Sequence, residues 1–361
     1  MKDLFLLDPD VVFLNHGSFG ACPRPVFERY QAWQRELERE PVEFIARRQG
    51  DLLADARGAL GEYVGAGADD LTFVPNATTG VNIAARALGL RSGDEVLATN
   101  LEYGACDLTW EHECSKAGAR YVRVPVDELL DHRTDRTRAV YLSHITSETA
   151  LLLPAESIVE EARAHGLTTI VDGAHAVAQV DLDLTALGAD YYTGNCHKWL
   201  CAPKGAGFLY VAPHLQDTVD GTITSWGYEE PATFISRTQR QGTRDSAAYL
   251  AVPDAIAFER GHNTRDRCVD LARNARRALC ELLGTEPIAP EEQVLQMASV
   301  RVPHEDPDLQ RRLFDDHRIE IPITGDMLMR ISIAMYNTEE DVERLLDALS
   351  VCLRRSARSP V

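Results

Sequence analysis

The 361-residue sequence has few of the features that identify a membrane-bound, secreted or nucleic-acid-binding protein. No run approaches the roughly 20 apolar residues of a membrane-spanning helix. Acidic Asp3, Asp8 and Asp10 interrupt the apolar N-terminal stretch, so we expect no signal peptide. Basic residues are outnumbered. With 37 Lys and Arg against 56 Asp and Glu, the formal net charge is −19, which argues against a nucleic-acid surface.

Paired cysteines are also missing. The eight cysteines form no CxxC pair and no short stapled scaffold, which predicts reduced thiols and a cytoplasmic location. Cys196 and Cys201 flank Lys198, but no His or Cys partners follow at ligand spacing, so we predict no metal site. With 45% apolar and 26% charged residues, the composition is that of a globular protein long enough for two domains.

Between about residues 70 and 211, short apolar runs alternate with amphipathic stretches. Pro154 to His165 is the clearest helix, with Pro154 in its first turn and Gly166 as its stop. This alternation predicts a mainly parallel sheet covered on both faces, with ligands beyond the carboxyl ends of its strands. The predicted strands are Leu71–Val74, Glu95–Thr99, Tyr121–Val124, Ala139–Ser143, Thr168–Val171, Tyr191–Thr193 and Gly207–Val211.

The remaining chain predicts a long loop and a smaller domain. Residues 212–242 show little periodicity but hold several aromatics, which favours a packed functional loop. Near the C-terminus, a strand precedes a helix with Thr338 as N-cap and Asp341 in the capping-box position. We expect these C-terminal elements to build a small α+β domain.

The carboxyl-end rule selects a set of residues with complementary chemistry. Thr78 and Thr79 open a helix after the first strand and can cradle an anion. Tyr103 offers a stacking surface, Asp172 a buried acid, and Lys198 a buried amine. Pyridoxal phosphate needs this combination: an amine for its aldehyde, a carboxylate for its ring nitrogen and an anion site.

Several motifs resemble the class V, fold-type I pyridoxal-phosphate enzymes, and within them the isopenicillin N epimerase-like branch. The resemblance extends from about residue 11 to 350. It implies a homodimer with active sites at the subunit interface, a large domain at 15–245, and a small domain from 1–14 and 246–361. The motifs are VFLNHGSFGACPRPV, FVPNATTGVN, SHITSETALLLP, VDGAHA, GNCHKWLCAPKGAGFLYV, GTRDSAAYLAVPDAI and MRISIAMYNTEEDVERL.

The resemblance also implies roles for individual residues. Lys198 would bond the cofactor aldehyde, Asp172 would pair with the ring nitrogen, and Tyr103 would stack on the ring, where many relatives use histidine. Arg330 would bind the substrate carboxylate through two parallel hydrogen bonds. The other implied contacts are His175 and Ser147 near the ring hydroxyl, Thr78, Thr79, Asn195 and His197 at the phosphate, Thr243 from the other subunit, and Asn15 and His16 beside the substrate. For His16 and His144, a hydrogen-bonded structural role is as well supported as a catalytic one.

The fold does not choose the reaction. Cysteine desulfurases of this class use a cysteine shortly before the carboxylate arginine, and no cysteine lies between Cys280 and Arg330. Three hypotheses remain: α,β-elimination from a cysteine conjugate in secondary metabolism, which we favour; epimerisation, which needs a second acid/base; and decarboxylation, oxidative or not. A non-enzymatic ligand-binding module is a further alternative, and the retained lysine, aspartate, threonines and arginine argue against it.

Overall fold

A computed structural model describes residues 1–303 and 306–356 of the chain. Its central element is a seven-stranded sheet in the order β2-β8-β7-β6-β5-β3-β4. Strand β8 is antiparallel to both of its neighbours, and the other pairs are parallel. The strands are β1 (Val12–Phe13), β2 (Leu71–Val74), β3 (Glu95–Thr99), β4 (Arg120–Val124), β5 (Thr137–Ser143), β6 (Thr168–Gly173), β7 (Tyr191–Asn195), β8 (Gly207–Val211), β9 (Met297–Arg301), β10 (Ile319–Glu320) and β11 (Leu328–Ser332).

The predicted sheet is confirmed, and each of its seven predicted strands is present. Alternate residues of β5 enter different cores, because side chains in a strand point to opposite faces. Val140 and Leu142 pack in one core, whereas Ala139 and Tyr141 pack in the other. Burial on both faces explains why these strands are continuous apolar runs.

Helices cover both faces of the sheet. The predicted helix at Pro154 to His165 is found at Ala155–Ala164, and Gly166 follows it at φ +69°. No helix in the described part of the chain is long and apolar enough to cross a membrane. The helices are α1 (His16–Phe19), α2 (Arg24–Arg39), α3 (Gln49–Val64), α4 (Ala77–Ala87), α5 (Gly104–Ala117), α6 (Ala155–Ala164), α7 (Leu184–Leu187), α8 (Phe234–Gln239), α9 (Ala247–Leu250), α10 (Val252–His262), α11 (Arg265–Leu283), α12 (Leu309–His317) and α13 (Glu339–Ser356).

The stretch at 212–242 contains short helical elements rather than one continuous loop. Two 3₁₀ turns, Pro213–Thr218 and Trp226–Tyr228, precede helix α8. Thr233 and Ser236 form a reciprocal capping box at the start of α8. Elements this short are held by capping bonds, so they carry no apolar periodicity that a sequence pattern would reveal.

A separate apolar core belongs to the C-terminal part of the chain. Strands β9 and β11 pair antiparallel, and helices α11, α12 and α13 pack beside them. Strand β1 joins this unit by pairing with β10. Helix α13 begins after Thr338, whose N–H donates to the Asp341 carboxylate at 3.0 Å. This bond is the half of the predicted capping box that Asp341 supplies.

Several residues beyond position 245 share the apolar core of the central sheet. Tyr249, Ile256 and Phe258 lie in the same core as the central sheet, although we expected residues 246 onward in the small domain. Helices α9 and α10 bury their apolar faces against α2 and α3, which explains this assignment. We therefore propose that residues 246–262 belong with the large domain, and that Val12 and Leu14 join the small one.

Candidate active site

A cavity of about 200 Å³ lies at the carboxyl ends of the central strands. It brings together eight of the residues singled out in the sequence: Thr78, Tyr103, Ser147, Asp172, His175, Asn195, His197 and Lys198. The other lining residues are Ser18, Phe19, Asn76, Ala77, Ser143, Ile145 and Ala174. The cavity thus combines loops that follow several strands of one sheet with a segment near the N-terminus.

Lys198 contributes a partly buried amine. Its Nζ lies 3.1 Å from His175 Nε2. Burial and the charge of Arg330 together lower the pKa of Lys198 to about 8, while Asp172 opposes the shift. An amine with this pKa is about one-tenth unprotonated at pH 7, far more than an ordinary lysine, and attack on an aldehyde requires the unprotonated form.

Asp172, the residue before the last in strand β6, is a buried carboxylate. It accepts from the Ala174 N–H at 2.8 Å, from Tyr141 Oη at 3.3 Å and from Cys106 Sγ at 3.6 Å. Burial raises the pKa of Asp172, and these neutral donors oppose the shift. No ion pair to this carboxylate occurs among the described residues. A cationic ring nitrogen would supply the missing countercharge.

The N-terminus of helix α4 forms the opposite end of the cavity. Asn195 Oδ1 accepts from the Ala77 N–H at 2.9 Å, so this helix start is fixed to strand β7. Thr78 lines the cavity, whereas the Thr79 hydroxyl bonds the N-cap Asn76 at 3.0 Å. The positive end of the helix dipole favours anions at a helix start. This end therefore suits a phosphate group.

His197 completes the anion end. Its Nδ1 donates to the Ala206 carbonyl at 2.9 Å, since a carbonyl only accepts. Burial lowers the pKa of His197 to about 4, so the free ring is neutral. An incoming phosphate would favour its protonation.

Arg330 does not line the cavity itself, but it bonds Ser147 and Ser18, two residues that do. It donates to the Ser147 carbonyl at 2.7 Å and to Ser18 Oγ at 2.9 Å. Its Nε is buried and has no hydrogen-bond partner in the described part of the chain. Burial lowers the pKa of Arg330 to about 10. A buried guanidinium with an orphaned donor suits a substrate carboxylate.

The remaining predicted residues lie outside the cavity lining. Asn15 accepts from Ser18 Oγ at 2.5 Å and donates to Glu320 at 3.1 Å. His16 is fully buried, with Nδ1 2.9 Å from Tyr336 Oη and Nε2 2.9 Å from the Lys198 carbonyl. Both side chains therefore bond residues next to the cavity and do not line it themselves.

His144 and Thr243 are also placed away from the cavity. His144 bonds Tyr192 Oη at 3.0 Å through Nδ1. Thr243 lines a different cleft of about 680 Å³ together with Trp226 and Arg47. Within one chain, Thr243 does not reach the cavity, so its implied phosphate contact requires a second subunit.

Glu102 is a buried acid at the site that the sequence analysis did not select. Its carboxylate accepts from Thr99 Oγ1 at 2.5 Å and from Ser143 Oγ at 2.6 Å. Burial raises the pKa of Glu102 to about 8, and the nearby charge of Asp172 adds to the shift. Glu102 lies beside Tyr103, just after the carboxyl end of strand β3. The rule that selected Asp172 from its position at a strand end also applies to Glu102.

The residues present fit pyridoxal phosphate. The cavity offers a low-pKa amine, a carboxylate without a cationic partner and a helix N-terminus, and a guanidinium with an orphaned donor bonds its lining residues Ser147 and Ser18. Lys198, Asp172 and Thr78 would meet the aldehyde, the ring nitrogen and the phosphate respectively. Arg330 remains for the substrate.

Several known proteins are similar to this chain in sequence over most of its length. Two isopenicillin N epimerases, from Streptomyces clavuligerus and Amycolatopsis lactamdurans, are 36% and 39% identical, each match covering 95% of this chain and 95% of the relative. A probable chloroplastic L-cysteine desulfhydrase of Arabidopsis thaliana is 29% identical over 96% of this chain and 84% of its own length.

Solved structures and a family model agree with these matches. A lysine-to-alanine mutant of C-DES, with glycine covalently linked to its PLP cofactor, superposes with a TM-score of 0.86 at 24% identity. That match covers 95% of this chain and 97% of the other, and it shows the same fold. The family model of aminotransferase class-V matches residues 22–345. The chain therefore belongs to the aminotransferase class-V family of pyridoxal-phosphate-dependent enzymes.

Proposed function

We propose that this enzyme is a carbon–sulfur lyase that eliminates the β-sulfur substituent of a cysteine conjugate. One observation carries the proposal: Lys198 is the one amine among the described residues that line the cavity, so we assign it as the base at the substrate's Cα. Asp172 accepts three hydrogen bonds, His197 bonds a carbonyl, and His175 contacts Lys198 itself. Elimination requires one base at Cα, whereas a two-base epimerisation requires a second.

The chain's own residues would hold the cofactor and the substrate. Bound pyridoxal phosphate supplies an aldehyde that condenses with amines and a protonated ring nitrogen that stabilises negative charge at Cα. Asp172 keeps that nitrogen charged, and Tyr103, 44% exposed at the mouth, provides the stacking face. Thr78, Asn195 and His197 surround the phosphate end.

Arg330 and Lys198 would divide the work on the substrate. The Arg330 guanidinium, held by Ser147 and Ser18, binds the α-carboxylate and orients the Cα–H bond toward Lys198. Lys198 Nζ takes the Cα proton, the Cβ–S bond breaks, and its electron pair leaves with sulfur. Water then completes the balance: the conjugate and one water give a thiol, pyruvate and ammonium.

Sulfur would leave as a free thiol because no cysteine of the described chain lines the cavity. All eight cysteines are buried, and none of them forms a disulfide. Burial raises the pKa of Cys106, which contacts Asp172, so this thiol is a poor nucleophile. Persulfide transfer to an enzyme cysteine is therefore disfavoured.

Epimerisation at Cα is the second candidate, because the isopenicillin N epimerases are more similar in sequence than the cysteine desulfhydrase is. This reaction needs an acid/base opposite Lys198. Tyr103 lines the cavity, and its phenol could act as this second acid/base. Stacking of its ring on the cofactor competes with that role.

We also infer a cytoplasmic homodimer in which Thr243 reaches the partner's phosphate site. Its cleft exposes apolar surface, since the Trp226 side chain is 73% exposed. The cytoplasmic location is supported by eight buried cysteines without a disulfide.

Product analysis in heavy water distinguishes the reactions. The holoenzyme is incubated with L-cystine, S-alkyl-L-cysteines and isopenicillin N. Pyruvate with a released thiol, or with cysteine persulfide when L-cystine is the substrate, supports the lyase, whereas recovered substrate of mixed chirality with deuterium at Cα supports the epimerase. Carbon dioxide release would indicate decarboxylation. The Lys198→Ala variant should abolish each activity, and Lys116→Gln, which alters an exposed amine on helix α5, serves as control.

A further inference from the structure

Trp199 directly follows Lys198 in sequence and is not part of the chemistry described above. Its side chain is 4% exposed and packs against His16, with ring centroids 5.0 Å apart. Its indole Nε1 lies 3.3 Å from His175 Nδ1. Because an indole N–H donates and never accepts, Nδ1 must be the acceptor in this pair.

This hydrogen bond determines where His175 carries its proton. A neutral imidazole has one donor nitrogen and one acceptor nitrogen, so accepting at Nδ1 places the hydrogen on Nε2. Burial lowers the pKa of His175 well below its ordinary value, and the charges of Lys198, Arg330 and His16 act in the same direction. The ring is therefore neutral, with its Nε2–H directed at the Lys198 amine.

The Lys198 amine must then accept a hydrogen bond. Nε2 and Nζ are 3.1 Å apart, and an amine accepts through its lone pair, which an ammonium lacks. The opposite tautomer would instead accept from a protonated Lys198 and stabilise it. The charged groups that also act on Lys198 are Arg330, which lowers its pKa, and Asp172 and Cys106, which raise it.

We propose that Trp199 is a positioning residue that fixes the His175 tautomer, so that His175 donates to Lys198 and favours the unprotonated amine. Trp199 donates a hydrogen bond to His175, and His175 in turn donates one to Lys198. The first bond determines the direction of the second, because it leaves the His175 hydrogen on Nε2. The proposal concerns capture of the cofactor aldehyde and holds for elimination and epimerisation alike.

The direct test is the protonation of the His175 ring in full-length protein freed of cofactor. Nitrogen NMR of isotope-labelled histidine separates protonated from unprotonated ring nitrogens, and a His175→Asn variant identifies the His175 signals. We expect hydrogen on Nε2 and none on Nδ1 in the unmodified protein. Hydrogen on Nδ1 would overturn the proposal without any further variant.

A second test uses Trp199→Phe, which removes the indole N–H and keeps an aromatic ring. We expect hydrogen to appear on His175 Nδ1. The pH at which the protein captures added pyridoxal phosphate at half its maximal rate, followed by visible absorbance, should rise by roughly one unit. An unchanged tautomer or midpoint would overturn the proposal.

Trp33→Phe is the matched control. The Trp33 N–H is buried without a partner in the described chain, and the residue lies on helix α2. Its loss should leave both the His175 signals and the capture midpoint unchanged.

Discussion

Arg330 and Ser147 are joined by two hydrogen bonds from one guanidinium nitrogen, to the Ser147 carbonyl at 2.7 Å and to its hydroxyl at 3.3 Å. These two bonds hold the Arg330 guanidinium in one orientation before a substrate arrives. Its Nε remains without a hydrogen-bond partner in the described chain. Preorganisation of this kind reduces the entropy lost on binding.

Replacing Arg330 should weaken substrate binding more than it harms the fold. Arg330→Lys keeps the positive charge but removes the guanidinium that can bind a carboxylate through two hydrogen bonds. We therefore expect kcat/KM to fall about 100-fold, equivalent to about 3 kcal/mol. Steady-state kinetics measure the loss. The control is Arg276→Lys, another buried arginine, which bonds the Ala289 carbonyl away from the cavity. Equal losses in both variants would contradict a role in substrate binding.

Asp172→Asn should preserve the strand and remove the charge that pairs with the ring nitrogen. We expect kcat to fall by roughly 10²–10³-fold, the range seen when an electrostatic stabiliser is removed. The visible spectrum of the bound cofactor should shift as well. Asp190→Asn is the control, since Asp190 is also buried and bonds the Thr169 N–H. An active, spectrally normal Asp172→Asn enzyme would refute the assignment.

Glu102 should make the folded state less stable as pH rises. Its pKa is about 8 in the folded protein against an ordinary 4.5, so between these values the folded state retains a proton that the unfolded state has released. Stability contributed by this proton is therefore present below pH 4.5 and is lost as pH rises through 8. We expect a loss on the order of 1–4 kcal/mol.

The Glu102→Gln variant tests this sign. Urea unfolding of cofactor-free protein at about pH 5 and about pH 9 should show a smaller decrease in the free energy of unfolding for the variant than for the parent. Glu95→Gln is the control, because Glu95 is buried but paired with Arg120 at 3.1 Å. Parallel pH profiles for parent and Glu102→Gln would contradict the prediction.

Gly80 allows helix α4 to approach strand β7. A Cβ at this position would lie 2.1 Å from Thr193 Oγ1, so Gly80→Ala should push the phosphate-binding helix outward. We expect a loss of about 1–3 kcal/mol in stability together with weaker cofactor binding. Gly58→Ala, in helix α3 with open space around it, should instead stabilise by about 0.4–1 kcal/mol. Thermal unfolding and cofactor titration measure both effects.

The sequence predicted the sheet well because most of its strands are apolar runs buried on both faces, and amphipathic helices separate many of them. It also selected Asp172 and Lys198, since the carboxyl ends of parallel strands converge. It did not reveal that Thr79 bonds Asn76, that Glu102 lies between two hydroxyls, or that Trp199 bonds His175. These contacts depend on side-chain directions and on loops brought together from distant parts of the chain.

The domain division shows the same limit. Helices α9 and α10 carry apolar residues whose pattern predicts burial, but the pattern does not say against which core. Packing against α2 and α3 supports our proposal that they belong with the large domain. Partner choice between amphipathic elements is a tertiary property, and the sequence alone did not determine it.

The identity of the lysine that bonds the cofactor is the most direct test of the account. The chain has four lysines, at positions 2, 116, 198 and 204, so the assignment is unambiguous. Borohydride reduction of the holoenzyme makes the cofactor–lysine bond permanent, and peptide mass spectrometry then locates it. We predict the added mass on Lys198, with Lys116→Gln labelled normally and Lys198→Ala unlabelled. Label on Lys2, Lys116 or Lys204, or on no lysine, would contradict the account.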